Sequence, residues 1–199
     1  MPHYFDPEPS AASDPRSVTL VLPDLTLELT ADRGVFSRTG IDPGTKLLLL
    51  EGPPPPAEGD VLDLGCGYGA IALTLARRSP GATIWAVDVN RRALTLVEAN
   101  VAHAGIDNVR PATPEDVPAE VRFAAIWSNP PVRVGKQRVH AMLRSWLGRL
   151  QPDGSACLVV HKHLGADSLA RWLAGEGFAT RRLRSRMGYR LLEARREAT

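Results

Sequence analysis

The first ordered stretch of the chain alternates apolar and polar residues. Val18, Leu20 and Leu22 recur at every second position before Pro23-Asp24, and the same spacing continues in LTLELT (25–30) after it. A period of two on both sides of a turn pair predicts a β-hairpin. Residues 1–16 are rich in Pro, Asp and Ser, so we expect them to run over the surface.

A short helix and a stiff link are predicted to follow the hairpin. Asp42 and Pro43 are residue types that begin helices, and the apolar run 46–50 comes soon after them. The proline-rich segment 52–59 predicts a rigid connection. Because a hairpin and one helix bury too little surface to fold alone, residues 1–59 are expected to pack as an appendage on a main fold of residues 60–199, within one structural domain.

From residue 60 onward, short apolar runs alternate with segments in which apolar residues recur at helical spacing. Strands are predicted at 61–65, 82–89, 108–113, 123–129, 155–162, 178–185 and 189–194. Helices are predicted at 68–78, around 94–101 with an end at Gly105, at 136–150 and at 165–175. This alternation predicts a Rossmann-like α/β fold, a mostly parallel sheet with helices on both faces. Such sheets bind ligands outside the carboxyl ends of their strands.

Composition narrows the class of protein. A chain of 199 residues with 44% hydrophobic residues can bury a core without disulfides or metals. Its two cysteines, Cys66 and Cys157, form neither a disulfide framework nor a zinc motif. No signal peptide and no apolar run of membrane-spanning length is present, so a cytoplasmic protein without a membrane partner is expected.

The net charge of +2 conceals an asymmetry. Residues 1–131 hold 10 Lys+Arg against 17 Asp+Glu, whereas residues 132–199 hold 14 against 5. A basic third of this kind suits a phosphate-bearing partner such as RNA, and a solvated basic face is an equally open interpretation.

A glycine-rich turn follows the first strand of the main fold. Its residues are Asp63, Gly65, Cys66, Gly67, Tyr68 and Gly69, with the spacing GxGxG rather than the GxGxxG of dinucleotide sites. Glycine permits both the tight turn and close approach of a ligand to the backbone. An acid beside this turn would disfavour a pyrophosphate, but it suits the positively charged amino acid moiety of S-adenosylmethionine (SAM).

Asp88 closes the second strand of the main fold, 19 residues beyond Gly69. That separation is close to the ~20 residues expected for a carboxylate that accepts hydrogen bonds from ribose hydroxyls. Val89 and Asn90 come next and are predicted to flank the adenine. Asn90 is also predicted to cap the following helix, which is compatible with cofactor binding by Asp88.

The most specific motif is Asn129-Pro130-Pro131 at the end of the fourth strand. Two prolines fix a turn that lacks backbone donors, and they leave the Pro130 carbonyl and the Asn129 side-chain oxygen as acceptors. Two acceptors that hold the hydrogens of a conjugated amino group favour its pyramidal form and direct its lone pair toward a methyl donor. These three residues are therefore the predicted catalytic group, and Asn129 is also expected to contact the cofactor.

Five segments together resemble the small-subunit ribosomal RNA guanine-N2 methyltransferase family, especially its single-domain, archaeal-type members. They are GVFSRTGIDPGTKLL, VLDLGCGYGAIAL, AVDVNRRAL, SNPPVRVGK and GYRLLEA. The resemblance implies a class I methyltransferase fold with seven strands, the last antiparallel, and SAM as cofactor. It implies that Asp63, Gly65, Gly67 and Asp88 contact the cofactor, and that an acid at Glu115-Asp116, assigned to Asp116, lies near the adenine amine.

The chain departs from the family pattern at two points. Bacterial members carry a second, degenerate domain where this chain has the hairpin, and they tend to carry an aromatic residue after NPP where this chain has Val132. Base stacking is then assigned to other aromatic side chains, including Tyr4 and Phe5, each of which has an ordinary core role as its alternative. The predicted substrate-binding residues are Phe36, Arg133, Lys136 and Tyr189.

These observations favour a SAM-dependent methyltransferase that acts on guanine N2 in ribosomal RNA. Alternatives are methyl transfer to a protein glutamine amide or a small molecule, a non-catalytic SAM-binding domain and, more remotely, an NAD oxidoreductase. His161 and His163 lack a third ligand, so no metal site is predicted. Cys66 lacks a paired histidine base and is interpreted as a packing residue.

Overall fold

The computed structural model describes residues 11–131 and 134–196. Its strands are β1 (Arg16–Val21), β2 (Thr26–Ala31), β3 (Glu58–Leu64), β4 (Gly81–Val87), β5 (Val109–Ala112), β6 (Phe123–Ser128), β7 (Leu150–His161), β8 (Phe178–Arg186) and β9 (Tyr189–Arg196). Its helices are α1 (Pro43–Glu51), α2 (Ala70–Arg78), α3 (Arg91–Ala104), α4 (Lys136–Leu147) and α5 (Ala166–Gly175), with a 3-10 turn at Lys162–Leu164. The substrate contacts predicted for Tyr4, Phe5 and Arg133, and the position of Val132, lie outside the described residues.

Seven strands form one sheet in the order β5-β4-β3-β6-β7-β9-β8, and β1 and β2 form a separate hairpin. Strands β3 to β7 pair in parallel, whereas β9 is antiparallel to both β7 and β8. The predicted Rossmann-like methyltransferase fold with an antiparallel last strand and an N-terminal hairpin is confirmed. The chain leaves β3 in one direction for β4 and β5 and returns to β6 on its other side, so a topological switch point lies between β3 and β6.

Both faces of the sheet are covered. Val61 of β3 packs in the layer that contains α1, α2, α3 and the hairpin, while Leu62 and Leu64 pack in the layer that contains α4 and α5. A strand that is buried on both faces of a sheet has apolar residues at nearly every position. For this reason the buried part of β3 shows no alternation of apolar and polar residues. In the described ranges, no helix has the length and apolar character that a membrane span requires.

The hairpin packs on the outer side of α3. Leu20, Leu27 and Leu29 are buried in the shared core. The Asn100 side chain of α3 accepts a hydrogen bond from the Thr30 backbone N–H (2.7 Å) and donates one to the Thr30 carbonyl (3.0 Å). These contacts support the proposal that residues 1–59 are an appendage on one structural domain; that division stays a prediction.

Several element boundaries differ from the predicted ones. Helix α2 begins at Ala70 rather than at residue 68, because Gly69 has a left-handed φ of 92°. Strand β3 begins at Glu58, inside the predicted proline link. Helix α4 ends at Leu147, and β7 starts at Leu150 instead of residue 155. A Cβ on Gly154 would lie 2.9 Å from the Phe123 carbonyl oxygen, so glycine allows β7 to continue across the irregular register with β6.

Candidate active site

The carboxyl ends of β3, β4, β6 and β7 surround a cavity of about 550 Å³. This volume is in the range of small-molecule and cofactor sites. The described residues that line it are Val35, Phe36, Asp42, Gly65, Gly67, Asp88, Asn90, Ala93, Asn129, Pro130, Pro131, Val159, Val160, His161, His163, Leu164 and Tyr189. The glycine turn and the NPP corner, predicted from separate motifs, therefore open into one cavity.

The cavity has two walls of different composition. The Asp88 wall consists of Gly65, Gly67, Asp88 and Asn90. The Asn129 wall consists of Phe36, Asp42, Asn129, His161 and Tyr189.

The glycine turn is held in place by backbone hydrogen bonds. The N–H groups of Gly65 and Cys66 both donate to the Val87 carbonyl of the neighbouring strand β4, at 2.8 and 3.1 Å. Gly65 has a left-handed φ of 75°, and a Cβ added there would meet no heavy atom within 4 Å. No side chain therefore covers the backbone at Gly65, and a ligand in the cavity can approach it closely.

Other residues of the turn have supporting positions. A Cβ on Gly69 would lie 2.8 Å from Leu73 Cδ1, so this glycine permits close packing of α2 and lies outside the lining. Cys66 and Tyr68 are buried and line a small recess that shares Gly65 and Gly67 with the cavity. Burial raises the pKa of the Cys66 thiol well above its ordinary value, which agrees with a packing role.

Asp88 organises its wall through both carboxylate oxygens. One accepts the Gly67 backbone N–H and the other accepts the Asn90 backbone N–H, each at 2.9 Å. A carboxylate offers about four acceptor positions, so the backbone N–H groups of Gly67, Val89 and Asn90 leave capacity for a ribose hydroxyl. Burial raises the Asp88 pKa. The Asn90 side chain caps α3 by accepting from Arg92 and Ala93, so the predicted cap is present beside the cavity.

Asp63 lies beneath the glycine turn and is fully buried. One carboxylate oxygen accepts the Ala72 backbone N–H at 2.9 Å, and the other, Oδ1, has no hydrogen-bond partner among the described residues. Burial raises the Asp63 pKa to about 8. A buried oxygen without a partner is costly and is stabilised by a cation. Asp88, which lines the cavity, thus fits the ribose hydroxyls of SAM, whereas Asp63 lines neither the cavity nor the recess, so its contact with the ammonium group stays a prediction.

Asn129 is held by the chain segment that precedes α1. Its Nδ2 donates to Asp42 Oδ1 at 2.7 Å and to Thr45 Oγ1 at 3.1 Å. The neighbouring Ser128 hydroxyl donates to the Leu64 carbonyl at 2.7 Å, which ties the NPP corner to the strand that carries the glycine turn. The corner is therefore fixed both to the cofactor strand and to α1.

Aromatic and imidazole side chains line the cavity together with the NPP corner. Phe36 is 38% exposed and lines the cavity. His161 meets Tyr189 edge to face, with ring centroids 4.9 Å apart, and lies 5.4 Å from the His163 ring. Sequence reasoning considered these histidines only as metal ligands and missed them as cavity residues. The signal that could have found them was their place at the carboxyl end of β7.

Besides Asp63, Cys66, Tyr68 and Gly69, three further predicted contacts do not line the main cavity. Asp116 is exposed, and its carboxylate accepts the Thr113 hydroxyl at 2.7 Å, so its predicted contact with adenine has no support from its position. Val89 is 37% exposed and likewise does not line the cavity. Lys136 lies beside Leu164, which does line it, in a small adjoining recess.

Much of the basic third is engaged within the molecule. Ion pairs join Arg144 to Glu176, Arg181 and Arg195 to Glu193, Arg184 and Arg186 to Glu51, and Arg190 to Asp167. In the part of the basic third that the structure describes, the cations without an ion pair are Lys136, Arg138, Arg149, Lys162, Arg171, Arg182 and Arg196. The sequence excess of positive charge therefore overstates the number of cations available to an anionic partner.

Comparison with known proteins agrees with this geometry. A family model described as the methyltransferase small domain matches residues 26–193. The Bacillus subtilis uncharacterized protein YbxB is 34% identical over 197 residues, covering 98% of each protein. The ribosomal RNA small subunit methyltransferase C of Aeromonas hydrophila is 33% identical over 145 residues, which are 71% of this chain and 42% of that relative. The chain thus spans less than half the length of this relative.

One similar solved structure contains both the methyl donor and a nucleoside. The T. thermophilus 16S rRNA N2-guanine methyltransferase RsmC, in complex with AdoMet (SAM) and guanosine, superposes with a TM-score of 0.80 and 28% identity, over 94% of this chain and 52% of that one. The resemblance inferred from the sequence motifs is confirmed by these matches. The chain belongs to the methyltransferase small-domain family and is a SAM-dependent methyltransferase.

Proposed function

We propose that this chain methylates an exocyclic amino group, namely N2 of a guanine in ribosomal RNA. The observation that carries the proposal is the shared cavity: Asn129 and Pro130 line the same space as Gly65 and Asp88. A cofactor held by the Asp88 wall and an amine held by the Asn129 wall would meet inside it. RNA is favoured as the acceptor because relatives at 33% identity are named as ribosomal RNA methyltransferases.

The NPP corner supplies acceptors suited to an amino group on an aromatic ring. With its Nδ2 bound to Asp42 and Thr45, Asn129 keeps Oδ1 for an N–H of the acceptor, and the Pro130 carbonyl can take the second N–H. Bound SAM supplies an electrophilic methyl group on a sulfonium. Two acceptors raise the electron density on the amine nitrogen and align its lone pair, an interaction that strengthens as the nitrogen becomes positive. The proton then becomes acidic and leaves to solvent, so no strong base is required.

Two observations support guanine as the acceptor base. The T. thermophilus enzyme with the same fold is described in complex with guanosine. In this chain the cavity carries Phe36 and Tyr189, whose rings can stack on or border a planar base. A base reached in this way must leave its stack, which is least costly in an unpaired loop of RNA.

The test is Asn129→Ala in a transfer assay with tritiated SAM and ribosomal RNA from a strain that lacks the cognate methylation. We expect kcat to fall about 100-fold, as is typical when a hydrogen bond made in the transition state is removed. SAM affinity measured by calorimetry is expected to change at most a few-fold, because the Asp88 wall supplies most of the predicted cofactor contacts and Asn129 only one of them. Nucleoside mass spectrometry would identify the product as N2-methylguanosine.

Other acceptors are separate outcomes of the same assay. Incorporation into ribosomal proteins or release factors without incorporation into RNA would replace the guanine by a protein amide. SAM binding without transfer to any of these acceptors would indicate a non-catalytic domain. Full activity of Asn129→Ala on RNA would contradict the proposed hydrogen bond from the acceptor amine to Asn129.

A further inference from the structure

We propose that Asp42 is a positioning residue that determines which end of the Asn129 amide faces the acceptor. The inference rests on the proposed function for its catalytic meaning, but its geometric content is independent. It starts from the hydrogen bonds of Asn129 Nδ2 to Asp42 Oδ1 (2.7 Å) and to Thr45 Oγ1 (3.1 Å). Sequence reasoning assigned Asp42 only the role of a helix cap.

The two ends of an asparagine amide have almost the same shape and opposite hydrogen-bonding character. A flipped Asn129 would present an NH2 group to the acceptor amine, which itself offers N–H groups, so the amine would not be held. It would also bring Asn129 Oδ1 against a carboxylate oxygen of Asp42 at 2.7 Å and lose that hydrogen bond, whereas the Thr45 hydroxyl could donate to either orientation and so does not select one. An ionised carboxylate accepts and never donates, so Asp42 permits only the productive orientation.

Asp42 is itself held by the start of helix α1. Its Oδ1 accepts the Thr45 backbone N–H at 3.0 Å, the contact of a helix N-cap, and the positive end of a helix favours a carboxylate there. Helix α1 is anchored by the buried side chains of Leu47, Leu48 and Leu49. The orientation of Asn129 is therefore set by an element 84 to 87 residues earlier in the chain.

The same helix end reaches the opposite side of the Asn129 wall. A Cβ on Gly44 would lie 2.6 Å from Tyr189 Cε1, so glycine allows α1 to press against the tyrosine that lines the cavity. Asp42 also lines the cavity, so its negative charge faces the space where the methylated nitrogen becomes positive. Alignment and charge both favour the reaction over binding of the ground state.

Two substitutions separate positioning from helix capping. Asp42→Ser keeps a good N-cap but its shorter side chain cannot reach Asn129, whereas Asp42→Asn can keep both the cap and an acceptor for Asn129 Nδ2 and removes the negative charge. We expect kcat for ribosomal RNA to fall about 100-fold in Asp42→Ser and about 10-fold in Asp42→Asn, with SAM affinity and the thermal unfolding midpoint close to wild type. Equal kcat in all three proteins would overturn the proposal.

A rescue experiment excludes a general structural effect. Asn129→Asp alone places two carboxylates against each other. Adding Asp42→Asn removes the repulsion between the two carboxylates, and an amide at residue 42 that turns its NH2 away from the Thr45 N–H can donate to residue 129, whose other oxygen is again available to the amine. The double variant is expected to be at least about 10-fold more active than Asn129→Asp, a coupling that only interacting residues show. Additive losses would count against a direct contact.

The side-chain amide of Asn129 can be observed without any acceptor. In ¹⁵N-labelled protein its NH2 resonance is identified by its loss in Asn129→Asp. We expect slow solvent exchange of these protons in wild type and fast exchange in Asp42→Ser. Fast exchange in wild type would overturn the inference whatever the acceptor is. Slow exchange together with no methyl transfer to RNA would leave the positioning network intact and refute the proposed function instead.

Discussion

The two walls of the cavity are built in different ways. The Asp88 wall comes from 26 consecutive residues, 65–90, and its polar contacts are mostly to backbone: Asp88 binds the N–H groups of Gly67 and Asn90. The Asn129 wall brings together four separate parts of the chain: the segment 36–42, Asn129, His161 and Tyr189. A local motif therefore makes one wall, and tertiary packing makes the other.

This difference indicates which wall can bind different ligands in different proteins of the same fold. A site made by backbone groups on one strand–turn–helix unit depends on a fixed spacing of glycines and acids, so it suits an invariant cofactor. A site assembled from separate side chains can change one segment while the others stay in place, so it suits an acceptor that differs between proteins. We expect substitutions in the Asp88 wall to reduce SAM affinity and those in the Asn129 wall to change it at most a few-fold.

The largest expected effect is that of Asp88→Ala. It removes a possible charged hydrogen bond to a ribose hydroxyl and also the acceptor that holds the Gly67 N–H. Each charged hydrogen bond contributes about 1.5–3 kcal/mol, so SAM affinity should fall about 100-fold or more. Calorimetric titration with SAM measures it. An affinity within a few-fold of wild type would show that the two walls do not divide the ligands in this way.

Asp63→Asn should have the next largest effect on SAM affinity, about 10-fold, since it removes the carboxyl that is predicted to ionise against the ammonium group of SAM. Unchanged affinity in this variant would show that the predicted contact of Asp63 with SAM is wrong.

The same substitution should change the pH dependence of stability. The Asp63 pKa is raised from 3.8 to about 8, so the folded protein binds this proton more tightly than the unfolded chain. The resulting stabilisation is complete below pH 3.8 and is lost as pH rises toward 8, at up to about 1.4 kcal/mol per pH unit. Without SAM, the unfolding midpoint of Asp63→Asn should therefore exceed that of wild type increasingly from pH 5 to pH 8. Parallel midpoints across that range would contradict it.

The contrast between the walls also explains what the sequence could predict. The hairpin, the order of strands and helices, and the placement of Gly65, Asp88 and Asn129 at strand ends all follow from periodicity and local motifs. The partnership of Asp42 with Asn129 joins residues 87 positions apart and leaves no local pattern beyond that of a helix cap. The arginines after residue 143 looked available in the sequence, yet their ion pairs depend on which strands become neighbours.

Substitution of Phe36 should weaken acceptor binding and leave the cofactor alone. Stacking of a base on an aromatic ring contributes about 1–3 kcal/mol, so Phe36→Ala should raise KM for ribosomal RNA about 10-fold while SAM affinity stays constant. The control is Val21→Ala, since Val21 is also an exposed apolar residue, 56% exposed on the hairpin. A fall in SAM affinity for Phe36→Ala would instead place this ring against the cofactor.

The smallest expected effect concerns Lys136, which begins α4 and lies next to Leu164 at the cavity. If it contacts one phosphate, Lys136→Gln should raise KM for RNA only a few-fold at low salt and should reduce the slope of log KM against log salt by about 1. Arg110→Gln is the matched control, because Arg110 is an exposed cation on β5, at one edge of the sheet and away from α4. Equal salt slopes for wild type and Lys136→Gln would move the RNA contact away from α4, and the Asn129 wall would then recognise its base without help from this cation.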